Sequence, residues 1–163
     1  MEVRSVESII RALNDAEVQY LIVGGLAVNA HGYVRLTRDV DIVLHLQLEN
    51  VLCALATFKS LGYQSAIPVP LETFADPKSR ETWRSERFMI AMKLWSEDHR
   101  RTSIDLFIYE PFDFQREASH AVTFEISPGV LAPVISFETL IEMKLSAGRP
   151  HDLLDIEELQ RLR

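Results

Sequence analysis

Cys53 is the only cysteine in 163 residues, so no intrachain disulfide is available and a cysteine-rich metal site is excluded. No apolar run approaches the roughly 18 residues that a membrane-spanning helix requires. The opening stretch, MEVRSVESIIRALNDAEV, is charged and amphipathic and lacks the apolar block of a secretory signal. These absences predict a cytoplasmic protein without a membrane partner. Internal repeats and low-complexity tracts are missing as well. Positive charge is in short supply, with 17 Lys and Arg against 24 Asp and Glu and a net charge of −7. That balance disfavours a broad nucleic-acid surface, although a local basic groove stays compatible with it. Thirteen of the 17 basic residues are arginine, which suits bidentate phosphate contacts and equally suits surface ion pairs. Apolar residues make up 47% of the chain and charged ones 25%, enough to fill one core.

The pattern predicts one domain over 1–163, with a core at about 18–135 and a C-terminal helical part at about 136–163. Val6, Ile9, Ile10, Leu13 and Ala16 have helical spacing within 4–17. A short β-rich run at 20–23 ends at Gly24-Gly25, and 26–31 reads as a short helix stopped by Gly32. A second strand is expected at 40–46 and a helix at 48–61 closed by Gly62. Residues 66–82 contain Pro68, Pro70 and Pro77 and read as a loop. Segments 87–95 and 102–109 read as a hairpin with a long polar link, and 112–118 as a helical turn. Two short strands at 122–126 and 130–135 precede helices at 137–147 and 151–162. This order predicts an α/β (α+β) fold, a mixed β-sheet flanked by helices, rather than a doubly wound parallel sheet.

Within YLIVGGLAVNAHGYVRLTRDVDIVL, two aspartates stand in the second strand. Alternation puts Asp39, Asp41 and Val43 on one face and Val40, Ile42 and Leu44 on the other, towards the core. Adjacent carboxylates repel unless a cation neutralises them, and Mg²⁺ with oxygen ligands is one answer. The plainer reading has them solvated at a strand mouth and paired with Arg35 and Arg38. Upstream, Gly24-Gly25 opens a helix, where backbone N–H groups and the dipole favour phosphate and glycine permits close approach. A third carboxylate, Asp105, lies in the β-forming run TSIDLFIY; burying it without a partner is costly. Beside Asp39 and Asp41 it would complete a two-metal site or deprotonate an acceptor hydroxyl.

These residues resemble the nucleotidyltransferase superfamily, the polymerase-β-like fold: apolar strand, Gly-Gly, helix, Asp-x-Asp, and a later strand with a third acid. The stretch GGLAVNAHGYVRLTRDVDIVL is most similar to the AbiEii toxin-type branch. That branch also has a C-terminal Lys, Ala, Arg and two-Asp motif, matched here in KLSAGRPHDLLDI by Lys144, Ala147, Arg149, Asp152 and Asp155. His151 departs from it, since relatives often carry Lys there. The resemblance implies Mg²⁺-dependent transfer of NMP from an NTP to a hydroxyl acceptor, with pyrophosphate released. By that likeness Gly24 and Gly25 hold phosphate, and Asp39, Asp41 and Asp105 hold metal, Mg²⁺ or Mn²⁺. It also implies a toxin component of a toxin–antitoxin system, with an antitoxin partner and an RNA, tRNA, protein or small-molecule acceptor. The alternative is a weakly active or inactive nucleotide-binding module of the same fold. A glycosyltransferase using Asp-x-Asp is a weaker third reading, because that fold needs a longer chain and no Gly-Gly cradle.

Phe137, Leu140, Ile141 and Lys144 share one helix face. Lys144 either snorkels to water or faces the nucleotide, oriented by Asp152 and Asp155, with Arg149 in support. Arg35 and Arg38 either contact the triphosphate or neutralise the strand acids. Lys78, Arg80, Arg84 and Arg87 around Trp83, interleaved with Glu81 and Glu86, read as a solvated surface rather than a nucleic-acid platform. His31, His45 and His120 lack metal-ligand spacing and receive no role.

Overall fold

Helix α1 (Val3–Asp15) buries Val6, Ile9, Ile10 and Leu13 along one side; spacings of three and four are what align them in a stripe. It begins a computed structural model that describes residues 1–163. Next come β1 (Tyr20–Val23), α2 (Gly24–Ala30), β2 (Asp39–Leu44), α3 (Leu48–Ser60) and the short strand β3 (Gln64–Ser65). A 3-10 turn (Leu71–Ala75) and α4 (Pro77–Arg87) lead into β4 (Ala91–Trp95) and β5 (Ser103–Phe107). After α5 (Phe114–His120) come the hairpin strands β6 (Val122–Ser127) and β7 (Val130–Val134), then α6 (Phe137–Ala147) and α7 (Pro150–Arg161).

The seven strands form one sheet in the order β3-β4-β5-β2-β1-β7-β6. Strand β2 runs antiparallel to β1 and parallel to β5, and β1 runs parallel to β7. The sheet is therefore mixed, as the order of elements in the sequence predicts. On one face Val40, Ile42, Met92, Leu94, Ile104 and Leu106 are completely buried. Each such side chain contributes about 1.5–3 kcal/mol by leaving water. That face anchors the central strands and leaves the opposite one free for polar groups. There Asp39, Asp41, Ser103 and Asp105 are only partly covered.

Residues 66–82 are not a plain loop. Asp76 caps α4 by accepting bonds from the amides of Lys78 at 3.2 Å and Ser79 at 3.0 Å, and Pro77 takes the first helical position. A proline there costs nothing, because its missing N–H would have had no partner. The same helix ends at Arg87, so the strand expected from residue 87 begins only at Ala91. Nor is the basic cluster wholly solvated. Arg80 is buried and donates to the Phe74 carbonyl, and Trp83 lies in the core. A buried indole has no face left to stack on a base. No helix is long and apolar enough to cross a membrane.

Candidate active site

Two strands carry the acids and a third carries the cation between them. In the parallel β2–β5 register Asp39 is opposite Ser103 and Asp41 is opposite Asp105; in the antiparallel β4–β5 register Asp105 is opposite Lys93. All five side chains share one face of the sheet. The Lys93 ammonium lies 3.1 Å from Asp39 Oδ1 and 2.8 Å from Asp105 Oδ1. The Ser103 hydroxyl donates to the same Asp39 oxygen. Burial pushes the Asp39 carboxyl up, but the bonds from Ser103 and Lys93 more than reverse this and leave it below its ordinary range. Desolvation likewise pulls the Lys93 ammonium down, and its two carboxylates raise it by more.

Asp41 has no cation bonded to it. It is directed towards the start of α2, where the Gly25 amide donates to Asp41 Oδ2 at 3.4 Å. Desolvation, then the charge of Asp105, raises its pKa to about 7; the Gly25 amide and Lys144 pull the other way. The two glycines make this approach possible. Gly24 has φ +62°, and a Cβ there would stand 2.0 Å from Asp41 Oδ2; a Cβ on Gly25 would stand 2.5 Å from Thr37 Oγ1. The space over Gly-Gly is thus filled by Asp41 and Thr37.

The residues fit a divalent cation in one respect. Oxygens of Asp39 and Asp105 converge on a single point, occupied by the Lys93 ammonium as a stand-in ion. Both donors are hard carboxylates, as Mg²⁺ prefers. No three acidic, histidine or cysteine side chains stand in a ready metal-binding arrangement, so Asp41 completes the set only by turning from Gly25 towards that point.

Arg35 does not neutralise the strand acids. It binds Asp155 through Nε at 2.6 Å and a terminal nitrogen at 2.7 Å. Lys144, 5% exposed, sits 3.0 Å from Asp152 Oδ1 and 2.7 Å from Asp155 Oδ2. Arg149 Nε reaches Asp152 Oδ2 at 2.7 Å. The chain of contacts runs Arg35, Asp155, Lys144, Asp152, Arg149. Burial raises both carboxyls, but Arg149 and Lys144 at Asp152, and Arg35 and Lys144 at Asp155, hold them below their usual range. Lys144 is pinned among its partners rather than presented to solvent. With three cations and two anions the cluster has one positive charge over, and the field of Lys144 reaches Asp41.

Arg38 bonds to none of these acids, and its charge helps hold Asp39 down. Together with Met1, Glu2, Asp39, Arg100, Arg101 and Ser103 it lines an open cleft of about 500 Å³. The sequence reading singled out neither Arg100 and Arg101 nor Lys93, Ser103 and Thr37. One signal for Lys93 is present in the sequence: a charged residue in the middle of Ala-Met-Lys-Leu-Trp, in a chain with few lysines.

No protein-family model matches the sequence, and no curated protein matches it. Solved structures do match. The lincosamide antibiotic adenylyltransferase LnuA, with lincomycin bound, aligns over 95% of this chain and 94% of its own, with TM-score 0.62 and 16% identity. ANT(2")-Ia in complex with adenylyl-2"-tobramycin aligns over 96% of this chain and 86% of its own, with TM-score 0.60 and 15% identity. An antigenic nucleotidyltransferase-like protein from Paracoccidioides brasiliensis aligns over 99% and 76%, with TM-score 0.58 and 21% identity. At such identities the shared property is the fold, and the AbiEii-type branch rests on the sequence motifs alone. The chain has the nucleotidyltransferase fold.

Proposed function

We propose that this protein is a Mg²⁺-dependent nucleotidyltransferase that moves NMP from an NTP to a hydroxyl acceptor. The observation that carries this reading is the convergence of Asp39 and Asp105 on one cation position, with Asp41 beside it and the glycine turn adjoining. Asp39, Asp105 and Asp41 are the residues to hold the ion, and Mn²⁺ suits the same oxygens. When bound, the ion neutralises the triphosphate and favours ionisation of the attacking hydroxyl. The acceptor oxygen then bonds to the α-phosphorus, the bond from that phosphorus to the bridging oxygen breaks, and pyrophosphate leaves. Asp105 takes the hydroxyl proton. Gly24 and Gly25 give the phosphates access to backbone once Asp41 has turned away. Lys144, held by Asp152 and Asp155 and flanked by Arg149 and Arg35, sets the positive field behind Asp41.

The cleft bordered by Arg38, Arg100 and Arg101 adjoins Asp39 and is the place for the acceptor or for outer phosphates. LnuA is by name a lincosamide antibiotic adenylyltransferase and ANT(2")-Ia is in complex with adenylyl-2"-tobramycin, so a small-molecule acceptor stands beside RNA, tRNA and protein. A toxin role with an antitoxin partner follows the motif likeness. The second reading, a nucleotide-binding module without turnover, has its own support: Lys93 already occupies the cation position, and no three-ligand arrangement is preformed.

The test is incubation of the protein with each labelled NTP, Mg²⁺ and separate RNA, protein and aminoglycoside or lincosamide pools. Label transfer and pyrophosphate release that Asp41→Ala abolishes support the enzyme. Tight NTP binding with no transfer to any pool supports the module.

A further inference from the structure

Lys93 is tied to the site by position and by chemistry. It stands directly across from Asp105 on β4, and its ammonium reaches over β5 to Asp39 on β2. One nitrogen thereby links acids from two other strands. The side chain is 47% exposed, against 33% for Asp39 and 26% for Asp105, so its charged end can leave towards water without disturbing the core. Its stem stays on the sheet face, and Met92 and Leu94 on either side remain fully buried.

The point it occupies is the point at which the two acid oxygens converge. A Mg²⁺ ion held there needs its oxygens at about 2.0–2.1 Å, closer than the ammonium contacts, so the two cations exclude one another. Without a cation, Asp39 and Asp105 would face each other with no neutralising partner bonded to both. Arg38 acts on Asp39 only through its field, and Lys144 bonds to Asp152 and Asp155.

Resting on the metal-dependent reading above, we infer that Lys93 is an internal competitor of the divalent cation. Its ammonium keeps Asp39 and Asp105 together in the metal-free protein and must be displaced for the ion to enter. It sets metal affinity, and after displacement it becomes a mobile positive charge at the rim of the site. Metal entry exchanges one cation for another and involves no covalent change.

The experiment is titration of the full chain, stripped with EDTA and free of nucleotide, with Mn²⁺, following free Mn²⁺ by electron paramagnetic resonance at pH 8. Wild type, Lys93→Met and Lys93→Arg are compared, and melting in EDTA establishes that each is folded. Removing a unit charge at this distance predicts at least about tenfold tighter Mn²⁺ binding for Lys93→Met. Lys93→Arg, which keeps the charge, is expected within about threefold of wild type. In EDTA Lys93→Met melts below wild type, and Mn²⁺ restores more stability to it than to wild type. Equal or weaker Mn²⁺ binding by Lys93→Met overturns the competitor role and leaves the metal-dependent reading intact. Failure of wild type and both variants to bind Mn²⁺ overturns both.

Discussion

The guanidinium of Arg35 holds the carboxylate of Asp155 through two parallel bonds, 2.6 and 2.7 Å long, between residues 120 apart in the chain. The pair ties the segment entering β2 to the last helix, and Lys144 shares the same carboxylate. Asp155 is 1% exposed, so Asp155→Ala leaves two cations without their common acid. Removing one partner of a buried pair costs about 3–5 kcal/mol. In a chain of this size the melting temperature then falls by roughly 10 °C, measurable by calorimetry. A fall of under about 2 °C would mean that the cluster contributes little to stability.

Gly24→Ala tests the close approach of Asp41. The new methyl meets Asp41 Oδ2 at 2.0 Å on a backbone with φ +62°. Gly129 is the control, with φ +76° and nothing within 4 Å of a Cβ. Both substitutions carry the left-handed backbone penalty of about 1 kcal/mol, and only Gly24→Ala adds a collision. Urea unfolding should show Gly24→Ala at least about 1–2 kcal/mol less stable than Gly129→Ala. Equal losses would show that Asp41 moves aside without cost.

Stability of the metal-free protein depends on pH through groups of opposite sign. Asp41 has its pKa raised from 3.8 to about 7, so the folded form binds its proton more tightly than the unfolded chain does. Its contribution is full below the unfolded value and is lost as pH rises through about 7. Asp39, Asp152 and Asp155 have depressed values; their contribution is present above the ordinary carboxylate value and disappears in acid. Urea unfolding in EDTA at pH 5.5 and 8 should therefore show Asp41→Asn gaining on wild type as pH rises. A stability difference that does not change between the two pH values would contradict the assignment.

Local patterns made much of this legible. Alternation in Asp39-Val40-Asp41-Ile42 places the acids opposite the core because it needs no partner strand. The stripe of Val6, Ile9, Ile10 and Leu13 reveals α1 for the same reason. The charge of Lys93 stands out in its strand, but its place beside the acids depends on two registers, Lys93 with Asp105 and Asp105 with Asp41. Those pairings are set by sheet assembly over long separations. The partner of Arg35 was hidden, since nearby Asp39 and Asp41 satisfy a sequence-local argument while Asp155 arrives from the far end of the chain. Pro77 misled by type: in a cluster of prolines it reads as a breaker, yet behind Asp76 it begins α4.

Release of labelled pyrophosphate from γ-labelled NTP, followed with Mg²⁺ and the separate acceptor pools, bears most directly on the proposed chemistry. Wild-type protein should release it with matching transfer of NMP to one pool, and Asp41→Ala and Asp105→Ala should each lose at least about a hundredfold in rate. Equal rates in wild type and both variants, or bound NTP that stays intact with every acceptor, would contradict nucleotidyl transfer at this site.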